Sequence, residues 1–167
     1  AASLAAGNYT GTINVHSDDI VNPTVPVSVS LSVSAPAPTA AVSPGSLSFS
    51  FPQGGNGSST FGIGNSGSPG STLHYTIDTA ATSCASPGPV VWLGRSPASG
   101  SVAQGAAAAA ITVTADRSSL APGSYSAFVC VPSDDPAHSR VAVPVSRAAT
   151  AGIFSEGLGP PPWAHTF

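Results

Sequence analysis

Bulky apolar residues alternate with small polar residues through most of the chain between residues 46 and 145. The clearest case is SLSFSF, in which Leu47, Phe49 and Phe51 alternate with serines, as a strand with one buried face requires. Similar patterns predict strands at about 59–63, 73–77, 90–93, 109–114, 125–131 and 141–145. Gly, Ser, Asn and Pro, which favour turns, separate these segments. The pattern therefore predicts seven short strands.

Two stretches of this region need a more detailed interpretation. The connection 64–70, GNSGSPG, consists of turn-forming residues, so we expect the strands on either side of it to form a hairpin. The polyalanine run 106–110 is too short for an isolated helix and continues directly into β-branched residues. We therefore interpret it as the entry to a strand.

An internal repeat divides the chain. Residues 3–29 recur at 119–145, shifted by 116 positions without a gap, and twelve of the 27 aligned residues are identical. A period of this length is typical of tandem, separately folded modules, and we expect this array to have been cut within a module at its N-terminus. The predicted organisation is a partial repeat with the last two strands (1–34), a proline-rich linker (35–42), a complete domain (43–147) and a proline- and aromatic-rich tail (148–167).

Seven short strands separated by turns predict an all-β fold, an immunoglobulin-like β-sandwich, preceded by a two-stranded remnant of a second module. An isolated two-stranded hairpin is marginally stable in water, so residues 1–34 need a partner. Either the chain belongs to a larger array, or the hairpin completes a sandwich in a neighbouring chain. The second arrangement, repeated head to tail, generates a filament.

The complete domain, over about residues 43–145, and the partial copy before it resemble a known family. The segments WLGRSPASGSVAQG, ITVTADRSSLAPGSYSAFVCV and VAVPV are similar to BACON-type immunoglobulin-like repeats of bacterial and phage surface proteins. The resemblance depends on Trp92-Leu93, the Ser-Pro-Ala-Ser-Gly turn and the Leu-Ala-Pro-Gly-x-Tyr motif at 120–125. It implies a secreted spacer or a glycan-binding module.

Composition narrows the classes of partner. Charged residues make up 7% of the chain, all four basic residues are arginines, and the net charge is −3. The chain therefore has no basic field for neutralising phosphates, which argues against nucleic acids and anionic membrane surfaces. Because no apolar run approaches the length of a membrane span, we expect no membrane insertion.

The two cysteines, Cys84 and Cys130, are not arranged as a C-x-x-C pair, so the sequence gives no support for a metal or haem site. They form a disulfide or remain free thiols. Strand alternation places Tyr125, Ala127 and Val129 on one face and Cys130 on the other, so we expect Cys130 to face outward. A disulfide would then hold the loop before Trp92 against the outer face of a sheet.

Other motifs resemble chemical sites only superficially. The stretch 62–67 matches G-x-G-x-x-G, but a strand follows it instead of the helix that a dinucleotide site requires. The repeated pairs at 18–19 and 134–135 are adjacent aspartates, which favour turns; a calcium site is the alternative. The four histidines have no metal-ligand spacing, and no serine lies in a G-x-S-x-G elbow. We predict no catalytic residues, cofactor or metal.

Trp92 and the tail are the candidate binding residues. An exposed indole at Trp92 would stack on a sugar ring, whereas its apolar neighbours favour a core position. In the tail, Phe154, Trp163 and Phe167 are candidate partner anchors; the alternative is a linker to a further domain.

These observations favour a non-catalytic structural module, secreted or at the cell surface, that acts as a spacer or filament subunit. Its partners would be other copies of itself or neighbouring immunoglobulin-like modules, joined by strand pairing between chains. The alternative is a carbohydrate-binding or adhesion module of a larger secreted protein or hydrolase, with glycans as partners.

Overall fold

The computed structural model describes residues 4–51, 56–116, 120 and 123–149. This part of the chain is all-β, which confirms the predicted fold class, and it contains no helix that could span a membrane. The described strands are β1 (Gly7–His16), β2 (Thr24–Val33), β3 (Ala40–Ser43), β4 (Leu47–Phe51), β5 (Gly57–Asn65), β6 (Thr72–Thr76), β7 (Asp78–Ala80), β8 (Leu93–Ser96), β9 (Ser99–Ala103), β10 (Ala109–Ala115), β11 (Gly123–Pro132) and β12 (Arg140–Ala149).

Strands β3 to β12 form a β-sandwich. One four-stranded sheet has the order β3-β5-β10-β8 and the other the order β4-β12-β11-β7, while β6 and β9 form a two-stranded sheet. The β4–β12 pair is parallel, and all other described pairs are antiparallel. Strands β1 and β2 form a separate hairpin.

The core lies between the two four-stranded sheets. Ile63 and Ile111 from the first sheet and Val129 and Val143 from the second are fully buried in it. Along their strands, Ile63, Ile111 and Val143 alternate with exposed or half-buried neighbours, as predicted from the period of two. The end of the polyalanine run is the start of β10, which confirms the strand interpretation.

The predicted hairpin across residues 64–70 is wrong. Strand β5 pairs with β3 and β10, whereas β6 pairs with β9. The loop between β5 and β6 is instead hydrogen-bonded to the segment that precedes β3. Ser66 N donates to Thr39 O, and Ser68 N donates to Ala37 O. The buried Asn65 side chain accepts the backbone N–H groups of Thr39 and Gly67, which fixes this arrangement. These bonds carry the chain away from β5 before β6 begins.

Two further boundaries differ from the prediction. The strand predicted at 90–93 begins only at Leu93, because residues 90–92 form a turn in which Leu93 N donates to Val90 O. The last residues of the predicted linker, 40–42, belong to β3. Strands β7 and β9 were not predicted, since DTA and SGSVA contain too few bulky apolar residues to show alternation.

Candidate functional site

The β1–β2 hairpin has one apolar face. Four of its cross-strand pairs on that face are Tyr9–Leu31, Gly11–Val29, Ile13–Val27 and Val15–Val25, and these eight residues are named the hairpin face. Threonine, serine, asparagine and proline occupy the intervening pairs on the opposite side. Most of the hairpin face is exposed; Ile13, for example, is 58% exposed. Contiguous exposed apolar surface of this kind marks an interaction site.

The last hairpin of the sandwich, β11–β12, has the same register as β1–β2. Val129 pairs with Val143 just as Ile13 pairs with Val27, each position being shifted by 116 residues. The glycines that begin the first strand of each hairpin have nearly the same backbone angle, φ +157° and +156°, which favours glycine. The sequence repeat is therefore also a structural repeat.

The equivalent face of β11–β12 is covered by the opposite sheet. Its central residues Ala127, Val129 and Val143 are at most 1% exposed in the sandwich core. Strand β4 pairs along the free side of β12, and β7 pairs along the free side of β11. The hairpin face thus has the register of a core surface, but no described sheet covers it in the way that the opposite sheet covers β11–β12.

The loop that joins the two strands of each hairpin has the same hydrogen-bond pattern in both copies. In the first loop, Asp19 Oδ1 accepts the backbone N–H groups of Val21 and Asn22 at 2.8 and 3.2 Å. In the second, Asp135 Oδ1 accepts those of Ala137 and His138 at 2.8 and 3.1 Å. The Ser-Asp-Asp triplet therefore acts as a turn motif in both copies.

In the sandwich, the second loop also holds two other strands. Asp135 Oδ2 accepts the N–H of Ala40 in β3 at 2.9 Å, and Asp134 Oδ1 accepts the N–H of His74 in β6 at 2.8 Å. The Ala40 N–H is the main cause of a lowered Asp135 pKa, and the N–H groups of Ala137 and His138 and the nearby His138 ring lower the pKa further. The Asp135 carboxylate thus fastens the start of β3 to the β11–β12 loop.

In the structure, Cys84 and Cys130 form a disulfide with their Cα atoms 5.5 Å apart. Cys130 lies on the outer side of its sheet, opposite to Val129, as the strand phase predicts. It is nevertheless fully buried, because the Cys84 loop, Ala80 and Phe128 cover it in a second small apolar cluster. The disulfide therefore joins the loop to the outer face of the sheet.

The candidate sugar-stacking residue does not have the required exposure. Trp92 is 6% exposed and lies in the core, with its ring centroid 6.3 Å from that of Tyr125. Its indole face is not accessible to a sugar ring, so the core interpretation of this residue is the correct one. The candidate anchors Phe154, Trp163 and Phe167 lie outside the described residues.

The remaining chemical motifs do not come together in a site. Residues 62–67 run from the end of β5 into a loop that leads to a strand, so the G-x-G-x-x-G match has no helix N-terminus behind it. Within the part of the chain that the structure describes, no three His, Cys, Asp or Glu side chains are grouped as metal ligands.

Sequence reasoning missed a buried cation. Arg147 is 2% exposed on the inner face of β12, where its guanidinium carbon lies 5.8 Å from the centroid of the Tyr125 ring. Its Nη1 donates to Asp116 O at 3.4 Å, while Nε and Nη2 have no hydrogen-bond partner among the described residues. The sequence contained one sign of this burial, because Arg147 alternates in step with the apolar residues on the core-facing side of β12. In the hairpin face, Leu31 occupies the equivalent position.

Two solved structures have a fold similar to that of this chain. A protein of unknown function from Porphyromonas gingivalis has 14% identity and a TM-score of 0.53, with 89% of this chain and 68% of that chain covered. The Escherichia coli chaperone DraB has 9% identity and a TM-score of 0.52, and the match spans 69% of this chain and 57% of DraB. At these identities, the likeness concerns the fold alone.

The sequence comparisons give the family. No curated protein matches the chain. The profile of the viral BACON domain matches residues 39–144, from just before β3 to within β12. This match covers the sandwich that the structure describes, including the Trp92 segment and the disulfide. The chain therefore belongs to the viral BACON domain family.

Proposed function

We propose that this chain is a non-catalytic structural module of an extracellular surface protein, a spacer or filament subunit, whose β1–β2 hairpin joins it to a neighbouring module. The observation that carries the proposal is the hairpin face, which has the register of a buried core surface but is exposed. A surface of this kind gains free energy when a second apolar layer covers it.

Two features support the extracellular setting. The Cys84–Cys130 disulfide is typical of proteins in oxidising compartments, since cytosolic thiols are kept reduced. The BACON family assignment agrees with a surface protein. A low content of charged residues and the absence of lysine suit a spacer that makes few electrostatic contacts.

The carbohydrate-binding alternative depended on an exposed Trp92. Burial of that ring removes the residue that motivated it. The pairs of aspartates were the other candidates for chemistry, and in the sandwich Asp134 and Asp135 bind backbone N–H groups. The structural role is therefore better supported than a glycan-binding role.

The test is whether the hairpin face drives association. We would measure the molar mass of the full chain by light scattering over a wide range of concentration, and image the particles by electron microscopy. The double variant Ile13→Asn/Val27→Asn places two amides on the hairpin face. The matched control, Thr12→Asn/Ser28→Asn, changes the neighbouring cross-strand pair on the opposite side.

We expect the parent chain and the control to associate with rising concentration and the hairpin-face variant to remain monomeric. Uncovered apolar strands with free edges self-associate, and polar substitutions on them suppress this. A parent chain that stays monomeric throughout, or a hairpin-face variant that associates as strongly as the control, contradicts the proposal.

A further inference from the structure

We infer that the hairpin face and the Asp18–Asp19 loop together recognise one partner: a BACON-type sandwich that lacks its own last two strands. This partner, equivalent to β3–β10, is called the acceptor below. The inference deepens the proposed function, since both require the hairpin face to be covered.

The first argument is the backbone pairing that the repeat implies. In the sandwich, β4 pairs in parallel with β12 through Leu47–Val145, and β7 pairs with β11 through Thr79–Val129. A shift by 116 residues places the same partners beside Val29 in β2 and beside Ile13 in β1. No described strand pairs with the outer edge of β1 or β2, so both edges can accept a strand in a register that the second hairpin already shows.

The second argument comes from the carboxylates and is independent of the apolar face. Asp19 has the same two loop hydrogen bonds as Asp135, but among the described residues its Oδ2 has no counterpart of the Ala40 N–H. Asp18 likewise lacks the strand N–H that Asp134 receives from His74. The loop bonds hold the Asp19 carboxylate in place to accept one backbone N–H group from the β3 of an acceptor, and the repeat assigns Asp18 a second one from its β6.

A second copy of this chain does not provide the acceptor. Its sandwich already contains β11 and β12 in the required position. The Cys84–Cys130 disulfide joins β11 covalently to the rest of that sandwich. A displaced β11–β12 hairpin would therefore remain attached to its own sandwich. An incoming hairpin would also have to replace the bonds that Asp134 and Asp135 make to β6 and β3.

Two differences between the hairpins describe the acceptor more closely. Leu31 occupies the position that Arg147 has in the sandwich. The acceptor therefore needs an apolar layer against Leu31 and no hydrogen-bond partner for a guanidinium group. Asn14 stands where the sandwich has Cys130, so the acceptor is not bound to the hairpin by the equivalent disulfide.

The experiment reconstructs the array from the chain itself. Residues 35–118 are placed directly before Ser3 of the full chain, so that an acceptor precedes each hairpin and successive copies are 116 residues apart. Cys84 in the added segment is replaced by Ser, because Asn14 offers it no partner. Hydrogen exchange of the β1 and β2 amides and the molar mass are measured for the extended and the parent chains.

We expect amide exchange in β1 and β2 to slow by about a hundredfold or more in the extended chain, since these amides become part of a sandwich. The extended chain should also be monomeric, because the hairpin face is covered. Ile13→Asn/Val27→Asn in the extended chain should abolish the protection, whereas Thr12→Asn/Ser28→Asn should retain it. Protection of β10 in the original sandwich serves as the internal control for folding.

A second variant guards against an added segment that does not fold. In the full chain carrying Cys84→Ser, residues 119–149 are replaced by residues 3–33, so that the hairpin must complete a sandwich whose other strands are native. Cooperative unfolding of the sandwich is the expected result. Loss of the folded sandwich in this variant, together with unchanged exchange of β1 and β2 in the extended chain, overturns the inference.

The outcomes separate the inference from the proposed function. If the parent chain forms filaments in which β1 and β2 are protected, the proposed function stands and the acceptor is a second copy, so the inference fails. If the hairpin is unprotected in both chains, the second variant loses its folded sandwich and the parent chain is monomeric, both fail.

Discussion

Val27 and Val143 are valines that occupy the same register position in the two hairpins, and only Val143 is buried. Val27 faces Ile13 and is 46% exposed, whereas Val143 faces Val129 and is fully buried. The difference arises because the opposite sheet covers β11–β12. The chain therefore contains its own matched control for the effect of tertiary packing.

We expect Val143→Ala to lower the free energy of unfolding by about 2 kcal/mol, through lost transfer free energy and a residual cavity. The matched change Val27→Ala should shift it by less than about 0.5 kcal/mol, as is usual for exposed positions. Urea denaturation of the full chain measures both. Equal effects of the two substitutions would contradict the burial difference.

Removal of the disulfide should destabilise the sandwich substantially. Its cysteines are 46 residues apart, and for a loop of this length the chain-entropy relation gives about 4 kcal/mol. We expect Cys84→Ala/Cys130→Ala to lower the free energy of unfolding by about 2–4 kcal/mol. A reducing agent should produce a similar loss in the parent chain and none in the double variant. An unchanged midpoint after reduction would rule out this contribution.

The pH dependence of stability should report on Asp135. Because folding lowers the pKa of Asp135, its contribution is present above the unfolded pKa of about 3.9 and is lost as the pH falls through the folded pKa. Asp135→Asn should therefore be less stable than the parent chain at neutral pH, and the difference should shrink in acid.

The control for this prediction is Asp19→Asn, which changes the equivalent carboxylate without the Ala40 contact. At neutral pH its unfolding midpoint should match that of the parent chain. Chemical denaturation from neutral pH down to acid provides the comparison. A gap between Asp135→Asn and the parent chain that widens in acid would mean that the carboxylate is not favoured in its ionised form.

Gly67 should tolerate no side chain. A Cβ atom at this position would contact the backbone of Ala37, with Pro38 Cα and Thr39 N both 2.7 Å away. We expect Gly67→Ala to cost about 1–3 kcal/mol, because backbone atoms on both sides must move. Gly45→Ala is the control, since no heavy atom lies within 4 Å of its Cβ position. Thermal unfolding that is equally affected by both substitutions would contradict this contact.

Local alternation was sufficient to locate most strands, and it also predicted which side of β11 faces the core. Val129 and Cys130 lie on opposite sides of that strand, as the period of two requires. The period is a property of the backbone itself, so it can be read without knowledge of distant residues. The same holds for the BACON resemblance, whose Trp92 segment the family match includes.

Partner choice between strands could not be determined in this way. Residues 64–70 have the composition of a hairpin turn, but hydrogen bonds from Ser66 and Ser68 to residues 37–39 direct β5 and β6 to different partners. These contacts depend on where a distant segment lies. A sequence window does not contain that information.

By itself, the sequence determined the all-β class, the repeated hairpin and the family, because these follow from local period and residue identity. Only the tertiary structure decided that Trp92, Cys130 and Arg147 are buried while Ile13 and Val27 are exposed. Burial is decided by the strands that cover a face, and those strands come from remote parts of the chain. Two hairpins with the same register therefore have different environments.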